Sequence, residues 1–271
     1  MVADEEKRNE EKRPVFAEER KRQILEIIHK NKKIVVPELC TCFGVSASTI
    51  RNDLRDLKDA NLITRTHGGA ISNSKVSLEP LPEDKQSHMY LQKAAIARQA
   101  ADLVDNGDVI ALCTGTSVME LARSLLGKKK LTVVVNDIRI AGFLEQESDF
   151  TLLMLGGIIR RGFHYVNIHG TPLPNINIDK AFFSCNGLNA AMGATVPDFN
   201  LAADTAELLS LASDVILLCD SSKIGTVTFA QIAPLEKIDV VIVDSNTDPR
   251  DIQDLRICDN CQVIVAPALP V

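Results

Sequence analysis

The sequence predicts an α/β chain in two parts: an N-terminal winged helix-turn-helix and, after a linker, a larger α/β domain with a mostly parallel sheet. Three observations predict it. Residues 45–70 read VSASTIRNDLRDLKDANLITRTHGGA, an amphipathic helical pattern that gives way to two strand patterns around Gly68-Gly69. From Leu91 onward, helical periodicity alternates with short unbroken apolar runs: DVIALC, LTVVVN, KAFFSCNG, DVILLCD, DVVIVD and QVIVA. Such runs suit strands buried on both faces of a parallel sheet. The charge also divides: residues 14–75 carry 11 Lys/Arg and 7 Asp/Glu, giving +4, whereas residues 76–271 carry 15 and 24, giving −9.

Residues 1–14 are a charged run with almost no apolar content and read as a disordered tail. The winged helix-turn-helix is expected over residues 15–72. Its first helix runs from Ala17 to Lys30, with Ile24, Leu25, Ile27 and Ile28 as the apolar positions. Pro37 opens the second, PELCTCF; in a first helical turn its missing N–H costs nothing. Gly44 suits the tight turn that ends it, and Ser46 is placed to cap the third helix. On that third helix Ile50, Leu54 and Leu57 share one sector of the wheel and face a core, while Ser48, Arg51, Asn52 and Arg55 cluster opposite.

Arg can pair bidentately with guanine, Asn with adenine, and Ser can contact bases or phosphates. An ordinary surface helix shows the same wheel. The short glycine-containing turn between two helices, and the wing that follows, favour a helix-turn-helix. LITRT reads as one wing strand and AIS as its return, with Arg65 and His67 near phosphates. The expected DNA contacts are Ser46, Ser48, Thr49, Arg51, Asn52, Arg55, Arg65 and His67. The local positive charge would attract phosphates while the acidic body limits nonspecific binding.

From Glu19 to Ala70 the segments ERKRQIL, VSASTIRNDLRDLKDAN and RTHGGA closely resemble the signature ERxxxIL, VSxxTIRxDLxxLxxxG and RxHGGA of the DeoR family of bacterial transcriptional regulators. Two departures are Asn52, where the family commonly has a second Arg, and Asn61, where it commonly has Gly. Asn also tolerates a left-handed backbone.

Residues 73–90 are rich in Pro, Ser and charge and read as a linker. In the domain expected over residues 91–271, helices are predicted at QKAAIARQAADLV, SVMELARSLL, DIRIAGFLEQE, Leu201 to Ala212 and Arg250 to Ile257. They alternate with six or seven strands, FTLLMLGG among them. Ligands of open α/β sheets sit at the carboxyl ends of the strands. Five such ends are polar here. In Thr114-Gly115-Thr116-Ser117, Gly115 lets backbone N–H groups approach an anion and a helix dipole favours it. The same residues also make a plain N-cap turn, and no GK[ST] follows as in a P-loop. The others are Asn136-Asp137, Gly156-Gly157 with Arg160 and Arg161, Asn186-Gly187, and Asp220-Ser221-Ser222-Lys223. Together they suit an anionic, hydroxyl-rich ligand.

This half also resembles the DeoR family, in its sensor domain. Lys93 before an IAxxA helix, GTSVMELA, Val135-Asn136, LGG and DSSKIG match the family's Lys, GTTxxxLA, TN, LGG and DSSKFG. The resemblance covers residues 15–266 and implies a fold similar to ribose-5-phosphate isomerases, glucosamine-6-phosphate deaminases and CoA transferases. It implies a repressor that binds double-stranded operator DNA at a carbohydrate-catabolism operon and is relieved by a phosphorylated sugar. The expected effector set is Lys93, Gly115, Thr116, Ser117, Asn136, Gly156, Gly157, Arg160, Asn186, Asp220 and Lys223. The family often has Asp where Cys113 stands and Lys where Thr205 stands. The competing reading is a sugar-phosphate isomerase or deaminase that carries a DNA-binding segment. That enzyme needs a poised acid or base, and Asp137 and Asp220 are the carboxylates at the strand ends. Asp220 lies within DSSK, which the family uses without catalysis, so no enzyme and no cofactor is expected.

Seven Cys, no signal peptide and no long apolar span fit a reduced cytoplasm and no membrane. Cys258-Asp-Asn-Cys261 has metal-like spacing but lacks a second pair, and Cys40 and Cys42 are too close for a zinc knuckle, so no metal is expected. Cys113, Cys185 and Cys219 read as buried thiols. One winged helix covers only a few base pairs, so a homo-oligomer, dimer or larger, is expected.

Overall fold

The computed structural model describes residues 20–21, 23–24, 27–28, 33–59, 63–66, 68–72, 88–168, 173, 175–258 and 260–269. The chain divides into two compact units, Met1–Leu78 and Glu79–Val271. The expected tail over residues 1–14, Asn61, His67 and residues 73–87 of the expected linker lie outside the described residues.

In the first unit residues 20, 21, 23, 24, 27 and 28 are helical (α1). Strand β1 (Lys33–Val35), helices α2 (Val36–Phe43) and α3 (Ala47–Asp59), and strands β2 (Ile63–Thr66) and β3 (Gly69–Ser72) follow. Ile24 and Ile28 of α1, Leu39 of α2, Ile50, Leu54 and Leu57 of α3 and Ile63 of β2 close one core. Pro37 sits in the first turn of α2. Gly44 ends that helix at φ 65°, and its N–H donates to the Cys40 carbonyl at 2.9 Å. This left-handed cap suits glycine, which has no Cβ to clash.

The wing has a strand that the sequence did not flag. β1 pairs antiparallel with β3, giving the order β1-β3-β2. Three residues carry no readable periodicity, and the partner is 34 positions away where Val35 stands opposite Gly69. That pairing explains the second glycine of the HGG motif: a Cβ on Gly69 would lie 1.9 Å from the Ile34 carbonyl oxygen.

The second unit is built on a seven-stranded sheet in which every pairing is parallel, in the order β15-β14-β12-β9-β4-β5-β6. The strands are β4 (Val109–Leu112), β5 (Thr132–Val135), β6 (Thr151–Met154), β9 (Ile178–Ser184), β12 (Ala212–Cys219), β14 (Val240–Asp244) and β15 (Gln262–Ala266). Its helices are α4 (Tyr90–Ala101), α5 (Thr116–Ser124), α6 (Ile138–Glu147), α7 (Phe199–Leu209) and α8 (Pro249–Leu255). Ile110, Leu112, Phe182, Ile216 and Leu218 pack with residues of α4, α5 and α6 in one core. Their neighbours Ala111, Phe183 and Leu217 pack in a second core with Leu201 and Leu208 of α7. Both faces of the central strands are covered, so these read as unbroken apolar runs, whereas Leu153 and Met154 of edge strand β6 are exposed despite the same apolar pattern.

Three features depart from the sequence expectation. The helix expected from Leu201 to Ala212 is α7, Phe199–Leu209. Asp198 fixes its start by accepting the Leu201 N–H at 2.8 Å. Ala212 belongs to β12, opposite Ile178 of β9, because non-local pairing outweighs the local helical pattern there. An antiparallel sheet of β10 (Gly187–Asn189), β11 (Gly193–Val196) and β13 (Ala230–Ala233) was not foreseen, nor was the hairpin β7 (Ile158–Ile159) with β8 (Val166–Asn167). From β4 the chain steps outward to β5 and β6, then returns on the other side of β4 as β9. The sheet's topological switch point therefore lies between β4 and β9. Ligands of open parallel sheets bind outside the strand ends at such a point.

Candidate DNA-reading helix and effector cleft

In the first unit α3 has the two faces its sequence predicts. Ile50 and Leu54 are fully buried, whereas Ser48, Arg51, Asn52 and Arg55 are exposed. Ser46 caps the helix: its Oγ accepts the Thr49 N–H at 3.2 Å and lies 2.7 Å from Ser48 Oγ and 2.9 Å from Thr49 Oγ1. Arg55 donates to Asn52 Oδ1 at 2.9 Å, so the two act as one polar unit on the exposed face. Arg65 is exposed on β2 of the wing.

One residue pair the sequence did not single out sets the pose of α3. Arg20 of α1 donates from Nε to Asp53 Oδ2 at 2.6 Å and from an NH2 nitrogen to Asp53 Oδ1 at 3.2 Å. Both side chains are buried. The hydrogen bond to Asp53, opposed by burial, raises the Arg20 pKa above its ordinary value, so the guanidinium stays charged. The fork geometry fixes the roll of α3 against α1. Both residues lie in the quoted motifs, ER and NDL, but only their 33-residue separation closing in space reveals the pair.

In the second unit a cleft of about 210 Å³ opens at the β4/β9 switch point. Lys93, Gly115, Thr116, Asn186, Asp220 and Lys223 line it together, from α4 and from the ends of β4, β9 and β12. Gly115 is the N-cap of α5 at φ 147°, ψ 152°. A Cβ there would lie 2.2 Å from Ser184 Oγ, and φ 147° is a backbone that residues with a Cβ rarely adopt, so the loop after β4 is suited to glycine. Ser117 is fully buried in the first turn of α5, and its Oγ has no hydrogen-bond partner among the described residues. Ser117 itself does not line the cleft, where Gly115 and Thr116 present the first turn of α5; helix N-termini favour anions.

Asp220 is buried at the end of β12, within 3.2 Å of Lys223 Nζ, and accepts the Ser222 hydroxyl. Burial works against its charge, but Lys223, Ser222 and Lys93 more than offset this, holding the carboxyl below the ordinary Asp value. Burial likewise disfavours the Lys223 ammonium, and Asp220 with the nearby thiols reverses the balance, raising its pKa. Lys93 is buried, and its ammonium donates to the His88 carbonyl at 2.7 Å.

The other expected effector residues stand elsewhere. Asn136 is buried after β5, where its carbonyl accepts the Val166 N–H at 2.8 Å. Gly156 and Gly157 follow the edge strand β6 and are exposed; neither lines the cleft. Arg160 lies behind it: its guanidinium covers the Phe163 ring at 3.9 Å, donates to the Tyr165 hydroxyl and pairs with Asp198 at 3.2 Å. Phe163 and Tyr165 themselves form cleft wall. They come from a region without periodicity, so no sequence signal marks them. Arg139 also lines the cleft, and its buried Nε has no hydrogen-bond partner among the described residues. It was legible in principle, being two residues past the strand-end Asn136-Asp137. Asp137 caps α6 by accepting the Arg139 N–H at 2.9 Å, which fixes the backbone that carries this cation. Cys113 and Thr205 are both buried and neither lines the cleft.

The DeoR-like helix-turn-helix domain matches residues 20–76, and the DeoR C-terminal sensor domain matches residues 88–245. The chain belongs to the DeoR family. This DeoR-family chain is a DNA-binding transcriptional regulator, not an enzyme. It is 33% identical to the HTH-type transcriptional regulator GolR of Listeria innocua, over 85% of this chain and 92% of that one. It is 34% identical to the regulator GlpR of Haloferax volcanii, over 85% and 91%. It is also 34% identical to the lactose phosphotransferase system repressor of Streptococcus mutans, over 86% and 94%. Ribose 5-phosphate isomerase of Plasmodium falciparum overlays 49% of this regulator and 52% of its own chain, with TM-score 0.38 and 17% identity. Among the described residues no helix is long and apolar enough to cross a membrane, and no cluster of three or more His, Cys, Asp or Glu could hold a metal ion.

Proposed function

We propose that this regulator represses a carbohydrate-catabolism operon in the cytoplasm and is relieved when a phosphorylated sugar enters the cleft. The observation that carries the reading is the meeting, at the switch point, of the α5 N-terminus at Gly115 and Thr116 with three cationic side chains, Lys93, Arg139 and Lys223. The phosphate would accept from the backbone of Gly115, Thr116 and Ser117 and from Arg139, with Lys93 and Lys223 nearby. Asp220 and Asn186, on adjoining strand ends, suit sugar hydroxyls. A relative named as the lactose phosphotransferase system repressor supports a role in sugar use.

On the DNA side, Arg51, Asn52 and Arg55 would enter the major groove, and Ser46, Ser48, Thr49, Arg65 and His67 would hold phosphates. A winged helix reads few base pairs, so the regulator works as a homo-oligomer; light scattering of the full chain is expected to give a dimer or larger even assembly. The deciding experiment is operator release, followed by gel shift, against a panel of sugar phosphates and their unphosphorylated sugars. A phosphorylated sugar is expected to release operator and its neutral parent to be inert. Release by the neutral sugar at the same midpoint would remove the phosphate from the reading.

A further inference from the structure

Cys185 and Cys219 stand side by side where neighbouring strands β9 and β12 end, with their Sγ atoms 3.9 Å apart. The register that sets Ser184 opposite Leu218 places them abreast one residue further on. Neighbouring strands are spaced by about 4.8 Å, inside the span that disulfides bridge. Closing the sulfurs to about 2.05 Å therefore asks for side-chain rotation rather than backbone rearrangement. Both side chains are buried, yet Cys185 also lines the cleft, next to Asn186 and with Lys223 on the same wall. Hydrogen bonding with Cys219 lowers the Cys185 pKa below that of an ordinary thiol, against burial and with help from the Lys223 charge. Other buried thiols differ: burial pushes Cys113 up to about 12 and Cys261 up to about 11.

We propose that Cys185 and Cys219 form an oxidisable dithiol in the wall of the cleft, which hydrogen peroxide converts to a disulfide. Peroxide is small enough for a cleft of about 210 Å³. The Cys185 thiolate attacks one peroxide oxygen, the O–O bond breaks, and hydroxide leaves and takes up the thiol's proton as water. The sulfenic acid left on Cys185 is then attacked by the Cys219 sulfur. The S–O bond breaks, and the hydroxyl departs as water with the Cys219 proton. In sum two thiols and one peroxide give one disulfide and two waters. The bond would tie the Asn186 loop to the loop of Asp220 and Lys223, both of which line the cleft.

The test treats the reduced full-length protein with stoichiometric hydrogen peroxide under native conditions, then denatures it, alkylates free thiols and maps peptides. A linked peptide pair containing Cys185 and Cys219, reversed by dithiothreitol, is expected, with Cys113 still alkylated. In Cys219→Ser, and in Cys219→Ala should the serine variant misfold, the link is lost and dimedone captures a sulfenic acid on Cys185. If wild-type Cys185 and Cys219 are both recovered alkylated while Cys42 or Cys258 is oxidised, the proposal is overturned. Because the mapping needs no effector, it stands or falls apart from the sugar-phosphate reading.

Discussion

Asp53→Ala tests whether the buried ion pair poses the DNA-reading helix. Asp53 accepts two hydrogen bonds from the Arg20 guanidinium, 2.6 and 3.2 Å long, and an arginine stays charged when such a partner is removed. With 8% of Arg20 and 4% of Asp53 exposed, water cannot replace the carboxylate without the domain opening. Removing one member of a buried ion pair costs about 3–5 kcal/mol. A small domain holds about 5–15 kcal/mol in all. At about 1.4 kcal/mol per decade, amide exchange along α3 is expected to rise at least about 100-fold, and operator affinity to fall with it. Amides of β4 and β9, in the other unit, are the internal control. Replacing both partners by apolar residues, Arg20→Met with Asp53→Leu, leaves no stranded charge and is expected to restore most of the protection. Exchange along α3 within about threefold of wild type in Asp53→Ala would refute the reasoning, since that corresponds to well under 1 kcal/mol.

The remaining predictions concern DNA, effector and acid. Arg51→Ala or Arg55→Ala is expected to cost about 1–3 kcal/mol of operator binding by gel shift while leaving effector affinity unchanged; unchanged operator binding in both would remove them from the interface. Gly115→Val, Arg139→Gln and Lys223→Ala are each expected to leave operator binding intact and to move the release midpoint at least about tenfold higher, the equivalent of about 1.4 kcal/mol. Wild-type midpoints in all three would place the effector elsewhere. Asp108 is half-buried, which works against its charge, but Lys180 at 2.6 Å and the Asp105 N–H at 2.9 Å hold its pKa below the ordinary 3.8. Asp220 is lowered as well. Their stabilisation is complete above the unfolded value and is lost as pH falls through the lower folded values. Urea midpoints measured from about pH 5 to pH 2 are expected to fall steeply in wild type and less steeply in Asp108→Asn.

The residues of α3 announce both of its faces, because helical periodicity is local and burial follows it. The parallel sheet was legible for a similar reason: strands buried on both faces have no polar phase, so they read as apolar runs. Gly115 was also legible, as a glycine between a strand and a helix, and Lys93, Asp220 and Lys223 as polar residues beside strand and helix ends. What the sequence could not say is which strand ends meet. The order β15-β14-β12-β9-β4-β5-β6 brings the loops after β4, β9 and β12 to one cleft and carries Gly156-Gly157 away on edge strand β6. The same tertiary contacts recruit Tyr165 from a non-periodic segment, aim Arg139 inward and set Cys185 beside Cys219. Helical and strand patterns depend on neighbours a few positions apart in the chain, whereas a cleft depends on pairings between segments tens of residues apart. A residue's own surroundings in sequence report that it will be buried or capped, and only the folded sheet decides what it will face.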